Sequence, residues 1–175
     1  MMSEVERVLP GLHAHRRTRA RGIDWRCLEE ALGVVFPDDY KELAGFYPAF
    51  EVCDFFRVGG PRPGGERAFL DSILSDLEDL QESYDAEMTT YRPHPAPEDG
   101  GLLPWGESSS GDRYYWRIED QRPVAIVTGS RSDDFWEFPG SLSEFLAAWL
   151  GGTVQPTGQP TMEQLGGARY LVFGP

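Results

Sequence analysis

Only two cysteines, Cys27 and Cys53, occur in 175 residues. Two thiols cannot build a disulfide framework, so the core has to come from apolar packing. Histidine is nearly as scarce: His13, His15 and His94 are the full set. That leaves little for a catalytic triad or a zinc centre, and no cofactor or metal set is expected. Lys41 is the single lysine beside fifteen arginines. No apolar run reaches the roughly 18 residues a membrane-spanning helix needs. The amino terminus has no continuous apolar stretch and places its charges wrongly for a secretory signal, so a cytoplasmic location is expected.

What the chain has in quantity is apolar and acidic residues. Apolar residues make up 40 % and aromatics 13 %, enough for one domain with its own core. The net charge is −13 and unevenly spread. Residues 1–22 carry five arginines against two glutamates, while the rest holds 11 basic and 27 acidic side chains. An acidic body repels phosphate backbones and attracts basic surfaces, which disfavours nucleic acid and favours a basic protein partner. Charge of this kind also keeps a protein soluble.

Asp24 is a predicted N-cap for "DWRCLEEALG", with Trp25, Leu28 and Leu32 on one face and Gly33 as the stop. A second helix starts after Phe36: Pro37 suits its first turn, and Asp38 and Asp39 suit the positive end of its dipole. "EVCDFFRVGG" reads as one strand ended by "PRPGGE". "FLDSILSDLEDLQESYDAEM" is helical, with Ile73, Leu77, Leu80 and Tyr84 inward and acids outward. A proline-rich loop follows, then the strands "LLPWGE", "RYYWRIE", "PVAIVTGS" and "DFWEFP". Ser141 and Glu144 form a capping box for the last helix, which Gly151 ends. The tail is rich in Gly, Pro and Thr, with a short strand expected at "RYLVF".

This order predicts an α+β domain: a central, mostly antiparallel sheet of five or six strands flanked by helices. The expected organisation is a flexible basic segment at 1–22, a domain at 23–150 and an extension at 151–175. The basic segment has three readings: a metal contact through His13 and His15, a phosphate contact through its arginines, or simple disorder.

The Ser108–Ser110 run before Gly111 invites a nucleophile-elbow reading. An elbow needs G-x-S-x-G between strand and helix, whereas "GESSSG" has one residue too many and leads into a strand. It reads as a hairpin loop. In the next strand Tyr114, Trp116 and Ile118 share one face and Tyr115 and Arg117 the other. The first set is assigned to the core, and the other is open to recognition. Asp133, Phe135 and Glu137 likewise oppose Asp134, Trp136 and Phe138, so the paired acids cannot share a ligand. Glu119 and Asp120 suit a turn. No acid–base pair emerges, and a hydrolase is disfavoured.

Three landmarks now stand in a telling order: "ALGVVFPDDYKELAGFY", "LLPWGESSSGDRYYWRIED" and "RPVAIVTGSRSDDFWEFPGSLSEFLAAWL". Together they resemble the SUKH superfamily, which includes the yeast cell-wall-assembly regulator and many bacterial immunity proteins. The resemblance covers roughly residues 23–150. Phe36 departs from it, standing where leucine is usual, and so does "GFYPAF", where an Asn-Gly turn is common. Residues 92–101 and the last 25 have no counterpart. The resemblance implies a non-enzymatic, protein-binding role. One form is an immunity protein that neutralises a basic toxin, often a nuclease; the other is a regulatory module with an endogenous partner. The side chains expected to face the partner are Trp105, Asp112, Tyr115, Arg117, Glu119, Asp120, Asp133, Asp134, Trp136 and Glu137.

Overall fold

The computed structural model describes residues 2–96, 99–130 and 134–173. In chain order the elements are α1 (Met2–Val8), α2 (Trp25–Leu32), α3 (Asp38–Phe46), β1 (Phe50–Val52), β2 (Phe56–Val58), α4 (Glu66–Asp85), β3 (Gly101–Ser108), β4 (Arg113–Glu119), β5 (Arg122–Gly129), β6 (Phe135–Phe138), α5 (Leu142–Leu150) and β7 (Tyr170–Val172). The seven strands form one sheet in the order β6-β5-β4-β3-β2-β1-β7, and every pairing is antiparallel. The α+β class holds, with more strands than the five or six expected.

The extra strand comes from "EVCDFFRVGG", which is a hairpin and not a single strand. Phe50 pairs with Val58 and Val52 with Phe56, while Cys53 and Asp54 turn the chain at φ 59° and 54°. Two consecutive left-handed residues make the tight turn that matches strand twist. Neither residue is the Gly or Asn that usually signals it, so the turn is hidden in the sequence. The β4–β5 hairpin does the same with Asp120 and Gln121, at φ 46° and 61°.

Strand alternation then sorts the side chains. Tyr114 and Trp116 of β4 are buried on one sheet face against α3 and α5, and Ile118 is buried in the same cluster. Trp116 lies 4.8 Å from the ring of Tyr40 in α3, and Tyr114 lies 6.3 Å from both Phe145 and Trp149 in α5. Tyr115 faces the opposite way and is buried with Leu80 of α4, Leu102 and Val127. The sheet is thus covered on both sides, by α3 and α5 on one and α4 on the other.

Residues 2–15, expected as part of a flexible segment, are ordered into α1 and a 3-10 turn at Leu12–His15. Met2, Val5, Leu9 and Leu12 are buried, and α1 packs on α3 and α5. The Tyr47 hydroxyl donates to Glu6 at 2.6 Å and ties α1 to the end of α3. The apolar spacing is helical, but the charges around it mask the pattern. At the other end, β7 pairs with β1, so a strand does form at "RYLVF".

The helix starts behave as the sequence indicated. Asp24 accepts from the Cys27 N–H and Gly33 closes α2 at φ 66°. Ser141 and Glu144 form a reciprocal capping box on α5. The unforeseen piece is Asp39. Its carboxylate is buried, accepting from the Tyr40 N–H at 2.9 Å and from the Ser143 N–H at 2.7 Å. One side chain thus satisfies amides in the first turns of both α3 and α5.

Two outcomes follow. Asp39→Ala strands the Ser143 amide in the interior and should cost about 1–3 kcal/mol in urea unfolding, whereas Asp38→Ala, at an exposed carboxylate, should cost less than about 1 kcal/mol. The Ser141 backbone and side-chain hydrogen bonds hold the Glu144 carboxyl below the usual glutamate range. A lowered folded pKa gives stability that is present above the unfolded value and lost as pH falls through the folded one. The melting-temperature advantage of wild type over Glu144→Ala should therefore shrink in acid.

Candidate partner-binding face

Where the expected residues lie follows from that layering. Trp105 is 7 % exposed and stacks on Trp116 at 5.8 Å, beside Phe56. Strand alternation puts Trp105 on the same face as Leu103, the α5 side of the sheet, 6.3 Å from the Phe145 ring. Tyr115 is 6 % exposed beneath α4, and burial pushes its hydroxyl up to about 12. Asp112 is buried in the β3–β4 turn, where its carboxylate accepts from the Ser108 hydroxyl at 2.5 Å. These three therefore do not lie on an exposed face: Trp105 and Tyr115 are core, and Asp112 builds the hairpin. The same bonds settle the serine run, since Ser108 Oγ also accepts from the Ser110 and Asp112 N–H groups. Ser108 is a turn residue. Trp136 is half-buried on the α5 side, 6.4 Å from Phe145.

The remaining expected residues reach the surface. Glu137 and Asp120 are exposed, and Arg117 and Glu119 partly so. Arg117 on β4 pairs with Glu119 and, across the sheet at 2.9 Å, with Glu137 of β6. Asp134 is exposed; its backbone closes the β5–β6 connection through the Ser130 N–H, which donates to the Asp134 carbonyl at 2.8 Å. Asp133 lies outside the described residues. Arg117 is paired with two carboxylates, so its charge is overcompensated.

The larger part of the acidic surface belongs to α4 and its C-terminal end. Between residues 71 and 87 the chain has seven carboxylates and no basic side chain. Ile73, Leu77 and Leu80 are buried, which turns Asp71, Glu78, Asp79, Glu82 and Asp85 outward. Asp76 lies at the seam with the sheet, 3.5 Å from Arg113, which also pairs with Glu107. Burial raises the Asp76 carboxyl, with Arg113 opposing it. None of the α4 acids was among the residues expected to face the partner. Their density in one helical stretch was the available signal, read only as an outer face. Exposed Leu74 and Met88 add apolar material on α4 and just beyond its C-terminal end.

Among the described residues, no group of three or more His, Cys, Asp or Glu side chains is placed to hold a metal ion. No described helix is long and apolar enough to cross a membrane. Residues 24–146 match a family model, SUKH_6, described as SMI1-KNR4 cell-wall. No curated protein and no solved structure matches the chain.

Trp105→Ala and Tyr115→Ala should each destabilise the fold by about 3–5 kcal/mol, while Glu137→Ala, at a solvent-exposed ion pair, should cost less than about 1 kcal/mol. Chemical denaturation of the three variants measures the difference between core and surface.

Proposed function

The chain belongs to the SUKH family, a family of protein-interaction domains, and on that basis we propose that it is a non-enzymatic immunity protein that binds and neutralises a basic toxin, of the nuclease class. The observation that carries this reading is the carboxylate-only stretch of α4, presented outward. A nuclease must bind phosphates and is therefore basic around its cleft. An acidic face would steer such a partner into encounter and then cover the cleft. Arg117, Glu119, Asp120, Asp134 and Glu137 supply the sheet side of the contact, and Glu78, Asp79, Glu82 and Asp85 the helix side. The mechanism is occlusion: no bond is made or broken.

Because α4 is a single rigid helix seated on the sheet through Ile73, Leu77 and Leu80, its charges are held in place before the partner arrives, which limits the ordering cost of association. The family's cell-wall description favours a second reading, a regulatory module with an endogenous partner. A neighbouring gene encoding a large secreted protein with a C-terminal toxin domain distinguishes the two.

Under the immunity reading, association with the toxin should slow by about tenfold or more in Glu78→Lys/Glu82→Lys/Glu137→Lys, and the wild-type on-rate should fall steeply with salt. Stopped-flow kinetics measures both. Tight, fast binding that molar salt leaves unchanged would sink the electrostatic account.

A further inference from the structure

On a chain with net charge −13, one cavity reverses the sign. It has a volume of about 390 Å³, and its charged lining consists of Arg17, Arg21 and Arg62 with no carboxylate. We propose that these three arginines form a binding site for the phosphate group of a small anion. The proposal is independent of the toxin-binding reading and concerns a different part of the surface.

The first support is the pairing pattern. Arg16, Arg57, Arg113, Arg117 and Arg169 each lie within 4 Å of a carboxylate. Arg17, Arg21 and Arg62 have no such partner among the described residues; Arg7, Arg19, Arg92 and Arg122 also lack one, but only these three line one cavity together. An acidic chain that leaves three clustered guanidiniums uncompensated holds a local field that an anion would relieve.

The second support is how the groups are held. Arg21 is anchored at the C-terminal end of α3: its Nε donates to the Ala44 carbonyl at 2.9 Å and its Nη2 to the Tyr47 carbonyl at 2.9 Å. Its Nη1 has no protein partner among the described residues. Arg17 is fixed by its backbone, whose N–H donates to the Phe46 carbonyl at 2.8 Å. Its side-chain Nε is buried without a hydrogen-bond partner. A buried guanidinium N–H is costly to leave unsatisfied. The Arg21 guanidinium is itself pushed below its usual range, first by burial and then by the charges of Arg17 and Arg62, so the three positive groups sense one another. Phe173 walls the cavity, and Arg57 lies 5.0 Å over its ring.

The geometry selects the ligand class. A phosphate offers several acceptor oxygens in a tetrahedral array and can take hydrogen bonds from three guanidiniums approaching from different elements. A single carboxylate is matched by one fork. The acidic remainder of the chain repels a polyanion such as a nucleic acid, which leaves a compact one. A cavity of this volume is of small-molecule size.

Isothermal titration calorimetry of the full chain at low ionic strength tests this with pyrophosphate, inorganic phosphate, citrate and a short single-stranded oligonucleotide as probes. Saturable one-to-one binding of pyrophosphate is expected, stronger than that of citrate. Arg17→Gln and Arg62→Gln should each weaken it by about tenfold or more, with circular dichroism reporting an unchanged fold; Arg62 is exposed, so its replacement leaves folding intact. No saturable heat with pyrophosphate or phosphate overturns the proposal, as does wild-type affinity in the Arg62→Gln protein. Citrate binding as tightly as pyrophosphate overturns the phosphate assignment. An oligonucleotide that binds more tightly than pyrophosphate overturns the small-anion assignment.

Discussion

The constraint on which this architecture depends is the aromatic run Tyr114-Tyr115-Trp116 in β4. Successive strand residues point to opposite faces, so three large rings in a row commit both faces of the sheet to burial. An antiparallel sheet ordinarily leaves one face in water. Here Tyr114 and Trp116 require α3 and α5 on one side, and Tyr115 requires α4 on the other. Once α4 is docked by Ile73, Leu77 and Leu80, its acids have nowhere to go but outward. The packing demand of one strand thereby creates the charged surface.

Local chemistry made much of this readable. Caps at Asp24 and Ser141, the stop at Gly33 and the apolar spacing of α2, α4 and α5 reported those helices, and alternation reported β3 to β6. What escaped was either non-local or chemically unmarked. The turn at Cys53-Asp54 uses left-handed backbone without glycine, and α1 gains its stability from docking on α5, a contact between the two ends of the chain. Helices this short depend on tertiary packing more than on propensity.

The site shows the same division. That Tyr115 and Trp105 are core could not be read from β4 and β3 alone, because the helices that cover them, α4 and α5, belong to other parts of the chain. Charge was easier to read than exposure. The acids of α4, Glu119 and Glu137 were all visible as acids, and only the fold showed which of them face outward. The arginines of the first 22 residues show the converse: as sequence they suggested a loose basic arm, while in the structure Arg17 and Arg21 are held against the end of α3 and meet Arg62 from a separate loop.

The two outermost strands are β6 and β7, four and three residues long. An open sheet invites copies of itself to add at its borders, and the length of free backbone there sets how firmly they hold. Borders this brief have few unpaired amides and carbonyls of their own; β6 covers only Ile126–Gly129 of β5, where Pro123 in the uncovered half removes one further amide, and Pro139 directly follows β6.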